Sequence, residues 1–307
     1  MHPVLFRVGP FEAHSYFVLM YAGYLVGLGF ARRTAPYFTA AAESEDGEAL
    51  PGPAEAVSDT QGSGSARPFF RIGNRVTKRA ISGAQVSEAA WSSLLPFVLG
   101  GRLMYCALNL PALRADPMEI LRVWHGGFSL VGGVAGAALY AYTYCRRKGV
   151  SPAELTDAFA PGVTLGGAIG RLGCLLGGCC YGVPCDLPWA VSFGAHGQGG
   201  EWTPPCHPTQ LYESLADLII LSVLCVYRPP RRLPGEIGLL WMILYAAARL
   251  LIEPFRSGAT SPVLVAGLTF PQIVCFALLP IALWSLIRLR LPAGSRRAQN
   301  QAIAPPA

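Results

Sequence analysis

Arg171 is the residue whose placement costs most. It lies in Gly166-Gly167-Ala168-Ile169-Gly170-Arg171-Leu172-Gly173-Cys174, a run otherwise apolar and small. A guanidinium stays charged in a protein, and at membrane depth it faces a polar cavity or a partner. Glycines 166, 170 and 173 keep one helix face bare, so a backbone or a lipid headgroup can come close. A fixed cation in such a groove is what an anionic lipid needs. A second group, Tyr245, Arg249, Glu253 and Arg256, follows i, i+4, i+8, i+11, which a helix stacks on one face. Arg249 and Glu253 are spaced to pair, and the simplest account is an ion pair that lets one helix bury both charges. Pro254 and the following Ser257-Gly258 place Arg256 beyond the helix end.

Three further motifs carry polar chemistry. In His207-Pro208-Thr209-Gln210-Leu211-Tyr212-Glu213, His207 is a candidate base or ligand, or simply a solvated loop residue. Gln210 is a candidate hydrogen-bonder to a headgroup and Glu213 an acid within the membrane, while Thr209 suits a helix cap. His125, in Trp124-His125-Gly126-Gly127, is a candidate headgroup contact beside glycines that suit tight helix packing. Arg102 follows Gly100-Gly101. Three arginines beside small residues or a carboxylate (Arg102, Arg171 and Arg249) point to a polar cavity built for anions.

The elements that must position these residues are membrane helices. The chain has 307 residues, 52% hydrophobic and 14% charged, where a soluble domain carries about a quarter charged residues. A span needs about 20 apolar residues, and seven candidates occur, at approximately Tyr16–Ala31, Leu94–Leu110, Gly126–Tyr144, Phe159–Gly178, Leu211–Tyr227, Ile237–Ile252 and Val263–Ile287. The expected fold is therefore all-α and polytopic, with an irregular extracytoplasmic segment between helices 4 and 5. Seventeen of the 24 Lys and Arg fall on one set of connections and four on the other. That bias sets the N-terminus outside and the C-terminus inside, explains the net charge of +6, and removes the need for a nucleic-acid partner. No cleavable signal peptide is expected. Residues 1–292 read as one membrane domain, with a disordered cytoplasmic loop at 43–65 and a disordered tail at 293–307. Trp189 and Trp202, in the irregular segment, suit the headgroup level.

Five of the nine cysteines (Cys174, Cys179, Cys180, Cys185 and Cys206) flank the outer end of the fourth span. On an oxidising face a disulfide is the ordinary expectation, with no pairing deducible.

Six motifs occur in order: Met20-Tyr21, Gly100-Gly101-Arg102-Leu103, Trp124-x-Gly-Gly-x-Ser129, Gly170-Arg171-Leu172-Gly173, His207-Pro-Thr-Gln-Leu-Tyr-Glu213 and Tyr245-x3-Arg249-x3-Glu253-x-Phe-Arg256. With seven spans, this set resembles the bacterial prolipoprotein diacylglyceryl transferase family. The resemblance covers all the spans and omits the 43–65 loop and the tail. It implies a multi-pass protein of the bacterial inner membrane that transfers the diacylglyceryl group of phosphatidylglycerol to the lipobox cysteine of exported prolipoproteins. A thioether forms and glycerol-1-phosphate leaves, with no cofactor or metal. It implies catalytic roles for Arg171, Arg249, Glu253 and Tyr245. Substrate contacts are expected at Arg171, Gly182, Arg102, His207, Gln210, Glu213 and His125. Two positions depart from the family pattern. Val131 stands where the motif beginning at Trp124 continues with a histidine in the family, and Cys174 and Cys179 stand where better-studied members have an asparagine and an acidic residue. Two other readings follow from these departures. One is a repurposed relative that binds anionic lipid without transfer. The other is a cysteine-rich metal or thiol-redox membrane protein, although Cys174-x4-Cys179-Cys180-x4-Cys185 with Cys206-His207 matches no common zinc or iron–sulfur spacing.

Overall fold

The computed structural model describes residues 4–8, 11–39, 81–110, 118, 127–194, 202–227, 233–256, 263–265 and 267–291. The expected loop at 43–65, the tail at 293–307 and His125 lie outside them. Seven long helices follow in order: α1 Ser15–Phe38, α2 Gly83–Leu108, α3 Leu130–Lys148, α4 Pro152–Gly177, α5 Thr209–Val226, α6 Glu236–Ile252 and α7 Phe270–Arg290. The fold is predominantly helical. The all-α class holds; beside the helices lie two short antiparallel hairpins, Val4–Val8 with Phe11–His14 and Val263–Val265 with Leu268–Thr269.

Among the described residues four helices are long and apolar enough to cross a membrane: Pro152–Gly177, Thr209–Val226, Glu236–Phe255 and Pro271–Arg290. Several boundaries differ from those read from hydropathy, because apolar content does not decide where a helix ends. Helix α1 continues to Phe38 rather than stopping at Ala31. Helix α2 begins at Gly83, eleven residues before Leu94, because Ser82 and Gln85 form a reciprocal capping box. Helix α7 begins at Phe270 rather than Val263, since Val263–Val265 and Leu268–Thr269 pair as a hairpin and Thr269 with Gln272 forms a second capping box.

The chain divides into two compact units, 1–31 with 159–307 and 32–158. In the first, α1 and α4 approach backbone to backbone. A Cβ added at Gly27 would lie 2.4 Å from the Gly162 carbonyl oxygen, and one at Gly162 would lie 2.4 Å from that of Gly27. Gly27→Val is therefore expected to destabilise the protein by about 1–3 kcal/mol through overpacking, read as a lower thermal midpoint in detergent. Gly29→Val is the control, because no atom lies within 4 Å of its added Cβ; equal midpoints for the two variants would refute the close contact. Elsewhere in this unit, buried Glu236 accepts a hydrogen bond from the Tyr227 hydroxyl at 2.8 Å and pairs with Arg290.

In the second unit α2 and α3 cross at Gly100 and Gly132 in the same manner, with a built Cβ 2.4 Å from the facing carbonyl oxygen. Tyr144 donates to Glu88 at 3.0 Å, and Lys148 pairs with Glu88 at 2.7 Å.

Candidate active site

Glu213 is the centre around which the first unit's charges gather. It lies in the second turn of α5, and its side chain is 7% exposed. Its Oε1 accepts from Arg249 and, at 2.9 Å, from Arg256, while its Oε2 lies 2.5 Å from Arg171 Nε. Arg171 comes from the last third of α4, Arg249 from the last turn of α6, and Arg256 from just after the 3₁₀ turn Glu253–Phe255. A second carboxylate, Glu253, holds the far side of two of these cations. It pairs with Arg249 at 2.8 Å, faces Arg256 at 3.9 Å, and accepts the Thr269 hydroxyl at 2.5 Å.

Three guanidiniums and two carboxylates leave one net positive charge in this group. Buried charges persist only when paired and hydrogen-bonded, and Arg249 and Arg256 meet that condition from two sides. Among the described residues Arg171 has only Glu213 as an ion-pair partner, and its side chain is 27% exposed against 11% and 5% for the others. It is the most exposed of the three cations. Asp217, also buried, lies one turn further along α5.

A braid of main chain brings the three helix ends together. Gly182 N donates to His207 O at 2.9 Å, Val183 N to Phe255 O at 2.9 Å and His207 N to Val183 O at 3.0 Å. Isolated bridges join Gly182 to Arg256, and Cys206 to Pro184 and Val191. Gly182 is required by close approach: a Cβ there would meet Phe255 O at 2.2 Å and His207 Cβ at 2.8 Å. Its visible work is to let the strand-like pieces touch.

Helix α4 ends in a turn with a defined chemistry. Gly178 N donates to Leu175 O at 3.2 Å and Cys179 N to Cys174 O at 3.1 Å, with Gly178 at φ 68°. That is a Schellman motif, which brings the residue after its glycine against the residue five earlier. Here those two are Cys179 and Cys174. Cys180 follows at φ 62°, the only non-glycine residue with positive φ among the described residues, a conformation that is strained for an L side chain. The result is three Sγ atoms, of Cys174, Cys179 and Cys180, all within 4.8 Å of one another. Hydrogen bonds from Cys174 and Cys179, with Arg171 and Arg256 nearby, hold the Cys180 thiol well below the usual thiol range, while its two neighbours push Cys179 up.

The α5 entrance pins this turn. The Thr209 hydroxyl donates to Cys180 O at 2.7 Å and Gln210 Nε2 to Cys179 O at 2.6 Å, both from fully buried side chains. The expectation that Thr209 caps α5 is corrected: Pro208 is the cap position, without a side-chain bond, because the Thr209 hydroxyl is committed to Cys180. Gln210 Oε1 has no hydrogen-bond partner among the described residues. His207 Nδ1 lies 3.1 Å from the Tyr212 hydroxyl, which also accepts from Trp189 at 2.8 Å. Tyr245 stacks on Trp241 with ring centroids 5.7 Å apart and is 40% exposed.

Arg171, Arg249, Glu253, Glu213, Gln210, His207 and Gly182 thus meet through α4, α5, α6 and the segment between α4 and α5. Arg102 belongs to the other unit, where it is buried, donates to Gly127 O at 2.9 Å and lies over the Tyr105 ring. Arg256 joins the cluster from beyond the helix end, where Pro254 was expected to place it, and Thr269 is the member that sequence reasoning missed. No sequence signal marked Thr269, which the second hairpin brings in.

The chain matches the sequence family described as prolipoprotein diacylglyceryl transferase over residues 68–288. It is 28% identical over 299 residues to the phosphatidylglycerol–prolipoprotein diacylglyceryl transferase of Rhizobium leguminosarum bv. trifolii, spanning 95% of this chain and 93% of that one. It is 36% identical over 204 residues to the protein of that name from Bordetella avium, covering 64% and 76%. With that of Methylococcus capsulatus it shares 31% over 243 residues, covering 76% and 89%.

Proposed function

The chain belongs to the prolipoprotein diacylglyceryl transferase family, a family of transferases, and we propose that it moves the diacylglyceryl group of phosphatidylglycerol to the lipobox cysteine of exported preproteins. A sulfur–carbon bond forms at the glyceryl carbon bearing the phosphate. The carbon–oxygen bond breaks, and glycerol-1-phosphate departs with its electron pair. The observation that carries this reading is the ring of three guanidiniums around Glu213. A phosphodiester monoanion matches the ring's single net positive charge, and fixed cations stabilise the second charge that develops as the leaving group forms.

Within this reading Arg171 binds the phosphate, and Arg249 supports it from a position fixed by both carboxylates. Glu253 has both oxygens engaged, so it acts by positioning Arg249 and Arg256. Tyr245 borders the two arginines and offers a hydroxyl to the lipid. Gln210 Oε1 is free to accept from the glycerol headgroup. Within this unit, His207 and Gly182 complete the headgroup and peptide contacts. All seven helices serve as spans of a bacterial inner-membrane protein with the N-terminus outside. The basic last turns of α3 and α7 then face the cytoplasm. The converging ends of α4, α5 and α6 face outward, where exported preproteins emerge.

Expression in bacteria depleted of their own transferase should restore lipid labelling of a lipobox substrate. A correctly inserted protein that leaves the substrate unlabelled overturns the proposal. Retention of phosphatidylglycerol without release of glycerol phosphate would identify a lipid-binding relative instead.

A further inference from the structure

We propose that Cys174, Cys179 and Cys180 form a three-thiolate site for a thiophilic divalent ion of the zinc class, whose fourth position takes the thiol of the incoming preprotein. The inference rests on the transferase reading above and supplies what that reading lacks, a means of ionising the acceptor thiol.

The three sulfurs already lie within 4.8 Å of one another. A tetrahedral zinc–thiolate site with bonds of about 2.3 Å sets its sulfurs about 3.8 Å apart, so each pair closes by no more than about 1 Å. The arrangement is built rather than incidental. The Schellman turn presses Cys179 on Cys174, and a left-handed Cys180 folds its side chain back onto the same point. The peptide carbonyls of Cys179 and Cys180 are then locked by buried Gln210 and Thr209. Such support behind the ligating residues is what metal sites require. Cys174 is buried, whereas Cys179 and Cys180 are half-buried, so the cluster is reachable from one side.

Soft thiolates select ions of the zinc and copper(I) type over hard cations. Three protein ligands are the complement of a catalytic zinc site, which keeps one position open for water or substrate. A thiol entering that position is deprotonated outright, and its proton is released to water. The bound thiolate then forms the sulfur–carbon bond as the carbon–oxygen bond breaks onto the phosphate held at Arg171. The cluster and Arg171 are neighbours: Arg171 is close enough for Coulombic interaction with Cys174 and Cys180. The same site therefore gives a role to Cys174 and Cys179, which stand where better-studied members of the family have an asparagine and an acidic residue.

The test uses the full chain in detergent under reducing conditions, stripped with a chelator and titrated with zinc chloride or cobalt(II) chloride. About one equivalent should bind, and cobalt should give strong thiolate-to-metal charge-transfer absorption. Cys174→Ala and Cys179→Ser should abolish that absorption, while Cys225→Ser, an exposed position on α5, should retain it. In the labelling assay, metal removal should lower transfer at least tenfold and zinc should restore it, with phosphatidylglycerol binding unchanged. Reduced protein that binds no ion overturns the inference, as does a disulfide among the three cysteines in active protein. Full transfer by metal-free protein overturns it too and leaves the transferase reading standing. Protein that binds zinc and lipid yet transfers nothing overturns both.

Discussion

Arg171→Ala is expected to reduce diacylglyceryl transfer by about 10²- to 10³-fold, the usual effect of removing one preorganised donor to a developing oxyanion. The protein should fold and insert normally. Arg171 is the most exposed of the three guanidiniums, and after its loss Glu213 remains paired with Arg249 and Arg256. Arg171→Lys should recover only part of the activity, because an ammonium supplies a point charge and cannot span two phosphate oxygens. Labelling of a lipobox substrate in transferase-depleted cells measures the effect, with immunoblotting for protein level. Near-normal labelling by Arg171→Ala would remove the phosphate role from this residue. Arg249→Ala should also abolish labelling, but with reduced protein level, because it strips partners from two buried carboxylates at once.

Some of this site was legible in the chain because its information is local. Arg249 and Glu253 pair at i, i+4 as their spacing requires, and Arg171 stood out as a charge within an apolar run. The apolar runs also located helices, since burial of about 20 residues is a property of composition. Helix ends were misplaced where side-chain capping decides them, as at Ser82 and Thr269. Tertiary convergence was harder still. Nothing in the spacing of residues 171, 213, 249 and 256 says that one carboxylate accepts from three arginines contributed by three different segments. The thiol cluster falls between these cases. Its Gly177-Gly178 step and flanking cysteines are the signature of a Schellman end whose contacting pair is sulfur, yet the spacing resembles no familiar metal motif and so gave no hint of where Cys180 turns.

Glu213→Ala should be the most destabilising single substitution in the cluster, by about 3–5 kcal/mol, the range for removing one partner from a buried charge network. Among the described residues the loss leaves Arg249 and Arg256 sharing Glu253 and Arg171 without its carboxylate, with Arg256 buried. Glu213→Gln isolates the cause, since it preserves shape and one acceptor oxygen while deleting the charge. It should lower the thermal midpoint in detergent substantially, though less than Glu213→Ala. The decisive comparison is a double variant. If charge imbalance is what destabilises Glu213→Gln, then adding Arg256→Met should restore stability, because each change removes one member of a pair whose partner is otherwise stranded. The two substitutions would then be strongly non-additive, with the double variant more stable than either single one. Additive losses would mean that Glu213 holds the helices by packing alone. The same double variant should remain inactive in transfer, since removing Glu213 also frees Arg171 from the geometry that aims it at the phosphate.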